Sequence, residues 1–316
     1  MNNETKGLWL GALGVTIFAL TLPMTRLAVG PVEAPQLPPL FVTAGRAAGA
    51  GLLALLYLAL SRSPRPRRCH LATLMWSALG TVVGFPLGLA LALREVPAMH
   101  AAVVTGILPL ATAAIAALAL RQRASRGFWA CAVLGCALVL AFAVHEGGGR
   151  LSAADGWLLL AVFSASGGYV AGAKLATEWR AEQVISWVLV ISLPLTLPLA
   201  WAVRPAHDLG AIAPTAWLGF GYVTLFSMWL GFFAWYRGLS LGGTLRVSQV
   251  QLLQPFLALL FAVPLLGEAL EPSTLVFALA VLAIVFAGKR LPVSAAPVPT
   301  RRAQFPVPHP HEGDPP

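Results

Sequence analysis

Long apolar runs constrain the fold of this chain more than any other feature. A helix that spans the hydrocarbon core of a bilayer needs about 20 mostly apolar residues. Ten runs approach this length, at residues 7–29, 38–60, 71–93, 99–120, 128–145, 156–174, 183–203, 216–239, 245–266 and 274–288. Only 10% of the residues are charged, whereas a soluble domain has about 25%. Because the runs are continuous rather than alternating, they predict an all-α integral membrane protein with ten transmembrane helices, not a β-barrel.

The lysines and arginines are divided unevenly between the two ends of these runs. If the N-terminus is cytoplasmic and the chain changes side at each run, sixteen of the 21 basic residues face the cytoplasm and four face the other side. The remaining one, Arg46, lies inside the second run. This bias predicts a multi-pass protein of the cell (inner) membrane with both termini in the cytoplasm. The net charge of +9 is therefore a topology signal, and no contiguous basic face indicates a nucleic-acid partner.

The two halves of the chain resemble each other. Corresponding positions are Trp9 and Trp157, Arg26 and Lys174, and Pro109 and Pro255. Each half has five runs, an odd number, so the second half is expected to be inverted relative to the first. We predict a cytoplasmic segment (1–6), two five-helix repeats (7–148 and 149–290) around a central cavity, and a disordered, proline-rich cytoplasmic tail (291–316).

The second half also carries a recognisable pattern. The stretch WYRGLSLGGTLRVSQVQLLQPFLALLFAVPLLGEALEPSTLVFALAVLAIVFAG has a small-residue turn, a run with Ser, Gln and Pro, and then the pair Gly267 and Glu268. It resembles the signature of the drug/metabolite transporter superfamily, EamA type. The first half resembles the pattern less sharply and departs from it at Gln122, the counterpart of Glu268. The resemblance implies ten helices, cytoplasmic termini, a central cavity and, in many members, export of amino acids or other metabolites.

Arg46 is a candidate substrate-binding residue. A charged side chain inside hydrocarbon costs on the order of 3 kcal/mol or more, so Arg46 must face a cavity or a partner. Its guanidinium could grip a substrate carboxylate or phosphate. Alternatively, it could bond to helix-end carbonyls or reach the interface. The acidic residues near the runs all fall at loops or run ends, which disfavours a purely cationic substrate and proton coupling through an intramembrane acid, and favours a facilitator or exchanger.

Two further runs carry candidate cavity-lining faces. One helical face of the ninth run holds Thr244, Ser248, Gln251 and Pro255, and Thr105 corresponds to Gln251 in the first half. Aromatic residues trace a face of the eighth run, at Tyr222, Phe226, Trp229, Phe233 and Tyr236. We predict a substrate site made of Arg46, Thr105, Ser248, Gln251, Tyr222 and Trp229. The alternatives are interhelical bonding for the polar residues and a lipid-facing or interfacial position for the aromatic ones.

Small residues and prolines suggest how the helices pack and move. Pro109 and Pro255 each remove a backbone hydrogen bond, so they are predicted to mark hinges or gates, although ordinary kinks are equally plausible. Gly80, Gly84 and Gly88 lie four residues apart in the third run. They are predicted to form a helix-packing face.

Motifs for catalysis are nearly absent. A single G-x-S-x-G match, at Gly238, Ser240 and Gly242, lies between two runs instead of between a strand and a helix. No catalytic residue, metal site or cofactor is predicted, and the expected partners are a small-molecule solute, the lipid bilayer and possibly a second copy of the chain. The favoured function is a secondary transporter, an exporter or exchanger of a small zwitterionic or anionic metabolite such as an amino acid, acting by alternating access. The alternatives are a membrane-embedded enzyme acting on lipid, and a non-transporting scaffold.

The inverted repeat makes a topological prediction. Single cysteines that replace Arg26 and Lys174 should react with a membrane-impermeant thiol reagent from opposite sides of the membrane, because the two positions correspond under inversion. The measurement is labelling of intact cells against labelling of inverted vesicles. Reaction of both positions from one side would contradict the inverted arrangement.

Overall fold

The helices expected from the sequence are present in the structure. A computed structural model describes residues 3–119, 123–146, 149–176, 178–205, 209–242, 250, 253–291 and 293–294. Within this range the helical segments are α1 (Asn3–Ala19 and Thr21–Val29), α2 (Pro39–Leu60), α3 (Arg68–Ser77, Ala78–Gly84 and Phe85–Glu95), α4 (Ala98–Thr105 and Leu108–Ala119), α5 (Arg126–Glu146), α6 (Ala153–Leu175), α7 (Ala181–Ala202), α8 (Pro214–Tyr222, Val223–Leu230 and Gly231–Gly242), α9 (Gln254–Leu266) and α10 (Pro272–Arg290).

Seven of these segments, α1 to α5, α7 and α8, are long and apolar enough to cross a membrane. In the described range α9 and the stretch Pro272–Gly288 of α10 are shorter apolar helices, and α6 has 23 residues. The first part of the predicted ninth run falls mostly on residues 243–249 and 251–252, which lie outside the described residues. The chain is thus an all-helical membrane protein, as the apolar runs predict.

Local signals set where the helices begin and end. Proline occupies the first turn of α2, α8 and α10, where its missing N–H is not needed. Helix α6 begins with a capping box, in which Ser152 and Asp155 satisfy each other's backbone N–H groups. Helices α1 and α9 end at Gly30 and Gly267, with φ angles of 66° and 69°, a conformation that favours glycine.

Close antiparallel packing joins α3 to α6. A Cβ atom added at Gly84 would lie 2.6 Å from the Ser164 side chain, and one added at Gly88 would lie 3.1 Å from the Cβ of Ala161. At Gly80 the added atom would lie 2.3 Å from the Ser164 carbonyl oxygen. The glycines predicted as a packing face therefore lie against α6, where the two backbones approach too closely for a larger side chain.

The same type of contact joins α1 to α8. A Cβ atom added at Gly231 would meet Ile17 at 3.0 Å, and one added at Gly14 would meet Trp235 at 3.0 Å. The offset between the two sets of contacts is 147 residues, from Gly84 to Gly231 and from Ile17 to Ser164. Helices α2 and α7, α5 and α10, and α4 with both α6 and α9 also pack together.

Both α3 and α8 contain a π-helical segment. In α3 the segment is Ala78–Gly84, and in α8 it is Val223–Leu230. A π-helical turn holds more residues than an α-helical turn and is frequent at functional sites. Each segment lies where its helix packs on α6 or α1, so the irregularity occurs at corresponding places in the two halves.

A short strand pair closes one end of the molecule. Residues Arg123–Ala124 (β1) pair antiparallel with Val293–Ser294 (β2). The first residues of the predicted proline-rich tail are therefore part of a strand, because their backbone groups bond to the connection before α5. Residues 295–316 lie outside the described residues.

Adjacent glycines in α6 provide a test of the packing. A Cβ atom at Gly168 would lie 2.8 Å from Thr81 Cγ2, whereas a Cβ at Gly167 would meet nothing within 4 Å. Gly168→Ala is expected to destabilise the protein by about 1–3 kcal/mol through overpacking, and Gly167→Ala to be neutral or to stabilise it by up to about 1 kcal/mol. Thermal unfolding in detergent measures both, and equal melting temperatures for the two variants would contradict this packing.

Candidate functional site

Arg46 lies at the centre of a buried polar cluster. Its side chain, on α2, is only 2% exposed. The Nη2 group donates a hydrogen bond to Ser227 Oγ at 2.9 Å, and the Ser227 and Thr21 hydroxyls lie 2.8 Å apart and bond to each other. Ser227 belongs to the π-helical segment of α8, and Thr21 follows the break in α1 at Leu20. Helices from both halves therefore meet at this guanidinium.

Most of the hydrogen-bonding capacity of Arg46 is unused. A guanidinium has five N–H donors, yet Nε and Nη1 are buried and have no partner within the described part of the chain. The titratable group that interacts electrostatically with Arg46 is Tyr169 of α6, a neutral phenol. A buried cation without a carboxylate partner is costly. The arrangement can thus accept an anionic group at the two free nitrogens.

A mostly apolar pocket lies between α1, α4, α9 and α10. Its lining residues include the predicted residues Thr105, Pro109 and Pro255. The Thr105 hydroxyl donates to the Ala101 carbonyl at 2.7 Å, so it satisfies its own helix. Arg46 does not line this pocket. The structure therefore places the predicted binding residues at more than one location.

The two predicted hinge prolines differ in their local structure. Helix α4 is interrupted between Thr105 and Leu108, directly before Pro109, whose missing N–H leaves a carbonyl of the preceding turn unbonded. Pro255 instead lies in the first turn of α9. Ser248 and Gln251, the other predicted residues of this region, lie outside the described residues.

The aromatic residues of α8 form two pairs, not one continuous stripe. Tyr222 stacks on Phe226 at 5.3 Å, and Trp229 contacts Phe233 edge-on at 5.1 Å between ring centroids. The π-helical segment between them changes the angular spacing from the α-helical period. The polar atoms of both predicted residues bind within the protein, since Tyr222 donates to the Ile17 carbonyl and Trp229 to Ser186 Oγ. Only their rings remain to contact a solute.

Glu268 of the GE pair caps the start of α4. Its two carboxylate oxygens accept hydrogen bonds from the backbone N–H groups of Ala98 and Met99, at 2.7 and 2.8 Å. Arg26 interacts electrostatically with this carboxylate and donates to the Leu93 carbonyl. A carboxylate at a helix N-terminus is stabilised by the unpaired N–H groups and the helix dipole. The GE pattern therefore ties the connection before α10 to α4.

Sequence reasoning missed three contributors to these contacts. Ser227 and Thr21 stand among many small polar residues, and no spacing distinguishes them. His100 was treated as an isolated histidine, yet its Nε2 lies 2.7 Å from Asp155 Oδ1, across 55 positions of the sequence. The GE pair carried a usable signal for Glu268, although its target was not predictable.

Comparison with known proteins settles the family. The sequence pattern of the EamA-like transporter family matches residues 5–143 and, separately, residues 152–287. The chain belongs to the EamA-like transporter family. Over 290 residues this EamA-like chain is 43% identical to the "Uncharacterized transporter YdeK" of Bacillus subtilis (strain 168), covering 92% of this chain and 99% of that protein. The sequence-based resemblance is thus confirmed.

A solved crystal structure shares the fold of this EamA-like protein. It superposes with a TM-score of 0.57 and covers 91% of this chain and 97% of its own, at 17% sequence identity. At this identity the likeness concerns the fold alone.

The Glu268 cap predicts a specific loss of stability. Glu268→Ala would leave two backbone N–H groups at the start of α4 unpaired, which is expected to destabilise the protein by about 1–3 kcal/mol. Glu271→Ala, three residues away, is the matched control, because Glu271 is exposed and accepts only a long bond from Ser273 at 3.4 Å. Unfolding in detergent compares the two variants, and similar losses in both would argue against the cap.

Proposed function

We propose that this EamA-like protein is a secondary transporter, an exporter or exchanger of a small zwitterionic or anionic metabolite such as an amino acid. The observation that carries the proposal is the buried Arg46 guanidinium with two unpartnered nitrogens. A carboxylate on the solute would satisfy both nitrogens at once, since arginine binds carboxylates bidentately. Family membership supplies the transport class, and Arg46 supplies the preference for an anionic group.

The proposed route is alternating access between two inverted repeats. Ten membrane crossings are proposed, with α6, α9 and α10 crossing in addition to the seven long apolar helices. The two separate family matches support a duplicated unit. An even number of crossings also supports termini on one side, which the positive-inside bias assigns to the cytoplasm of the inner membrane.

The contacts between the halves support the same proposal. The α3–α6 packing and the α1–α8 packing exchange partners under one offset of 147 residues, as Gly84 with Ser164 and Gly231 with Ile17 show. Such an exchange is expected of two equivalent units related by a two-fold axis. In transporters, units of this kind place the solute site at their interface, where Arg46 meets Ser227.

A flux assay tests the transport function. The purified protein in liposomes is offered a panel of labelled amino acids and other organic acids, and uptake against protein-free liposomes is measured. Transport of at least one zwitterionic or anionic solute is expected. Lack of flux for the whole panel, or lipid turnover by the purified protein, would favour the scaffold or the enzyme instead.

Arg46 variants test the binding site. Losing a charged partner from a buried pair costs about 2–5 kcal/mol, so Arg46→Ala is expected to lower flux at least about tenfold while membrane insertion is unchanged. Arg65→Ala, at an exposed arginine in the connection between α2 and α3, should transport normally. Normal flux in Arg46→Ala would remove Arg46 from the site.

A further inference from the structure

A buried histidine–carboxylate pair joins the two halves away from Arg46. His100 on α4 is 7% exposed and Asp155 on α6 is 3% exposed. Their side chains are 2.7 Å apart, from Nε2 to Oδ1. Asp155 stands at the end of a predicted run in the sequence, and only the structure shows that α4 covers it. An ionisable pair this deeply buried in a membrane protein is a functional candidate.

The bonding around Asp155 fixes the roles of the atoms. Its Oδ2 accepts hydrogen bonds from both the backbone N–H and the hydroxyl of Ser152, each at 2.8 Å. A carboxyl that accepts this many bonds is ionised, because only the carboxylate is acceptor-only. His100 Nε2 therefore carries a hydrogen and donates to Oδ1. The remaining ring nitrogen, Nδ1, is the atom that can gain or lose a proton.

We propose that the His100–Asp155 pair is a proton-binding site that controls the attachment of α4 to α6. With a proton on Nδ1, the pair is an imidazolium–carboxylate ion pair with no net charge. Without it, a neutral imidazole faces a buried carboxylate whose charge is uncompensated. Burial makes an uncompensated charge costly, so loss of the proton favours separation of the start of α4 from α6.

The surroundings leave His100 as the titrating partner of Asp155. Asp155 interacts with Ser152 and His100, and the opposite face of the His100 ring lies against Phe142, at 5.0 Å between centroids. The other helices packed on α4 bring these titratable groups towards that end of the molecule, or just beyond it: Arg26, Glu33, Arg94, Glu95, His145, Glu146, Glu268 and Glu271. Of these, His145 is separated from His100 by the rings of Phe277 and Phe142, and Glu268 is held by Ala98 and Met99.

The position of the pair connects it to the pocket. Ala102, Val103 and Thr105, within the next turn and a half of α4, line that pocket. A movement of the α4 start away from α6 would open the pocket towards this end of the molecule. As a gate, the pair rests on the proposed transport function, and it would make the proton an exchanged or co-transported ion.

A second histidine–carboxylate pair supplies the matched control. His70 Nε2 lies 3.1 Å from Glu178 Oε2, beyond the other end of α6, and the Glu178 side chain is 61% exposed. An exposed pair is screened by water and contributes little. Its loss should therefore leave the proton response unchanged.

The test measures the separation of α4 and α6 in the full-length protein without any solute. Spin labels are attached to cysteines that replace Glu95 and Leu151, two exposed residues just before α4 and α6, in a background lacking Cys69, Cys131 and Cys136. Pulsed electron paramagnetic resonance then gives the distance distribution. The population at longer distance is expected to grow at least about threefold from about pH 6 to about pH 8, the range in which histidine titrates.

Variants assign this response to the pair. His100→Gln keeps a donor towards Asp155 but cannot titrate, so its distance distribution should not change with pH. Asp155→Asn, which keeps the helix cap, should behave likewise and replaces His100→Gln if that variant does not fold. His70→Gln should respond like the parent protein. A parent distribution that ignores pH, a response that persists in His100→Gln, or one abolished by His70→Gln overturns the proposal.

The outcome is separable from the flux assay. A protein that switches with pH but carries no metabolite would keep the proton site and remove the transport function. A protein that carries a metabolite without any pH response would do the reverse.

Discussion

Hydrocarbon provides no hydrophobic drive for helices to associate, so membrane helices depend on close contact between their backbones. In this protein that contact occurs along two antiparallel helix pairs, α3 with α6 and α1 with α8. At Gly80 and Gly168 the backbones approach so closely that a methyl group would overlap its neighbours. Both pairs join the first half of the chain to the second. The position of every buried polar group between the halves depends on these contacts.

The polar groups at this interface fall into two kinds. The Glu268 carboxylate and the Asp155 carboxylate are each saturated by donors from the surrounding helix starts, as burial in a low-dielectric medium requires. Arg46 differs, because Ser227 takes only one of its nitrogens. A fold that satisfies its carboxylates and leaves its central guanidinium incomplete has its unused binding capacity at one place, between the halves.

The sequence predicted the class of fold and the family, because both depend on local features. Apolar runs report membrane helices directly, and the GE pair with the proline-containing run carried the family resemblance. The contacts of single side chains were not predictable in the same way. Arg46 was singled out because a charge inside an apolar run is conspicuous, whereas Ser227, its partner 181 residues away, carries no comparable signal. His100 and Asp155 each looked ordinary until the fold brought them together.

The α-helical period also failed at a definable point. The aromatic residues of α8 were assigned to one face on the assumption of a regular α-helix. The π-helical segment Val223–Leu230 alters the rotation between Phe226 and Trp229, so the residues separate into two pairs. Such segments depend on tertiary packing, and a count of apolar residues does not reveal them.

The π-helical segments have a consequence for how the two halves can diverge. Such a segment accommodates one residue more than regular α-helix, so deleting a residue within it would restore α-helical geometry without breaking the helix. Everything beyond the deletion would then rotate by about 100° around the helix axis. In α8 that rotation would carry Gly231 and Gly238 away from α1 while leaving Pro214–Tyr222 in place. One-residue insertions and deletions at these segments are therefore an evolutionary route by which a duplicated helix can present new side chains to a shared interface.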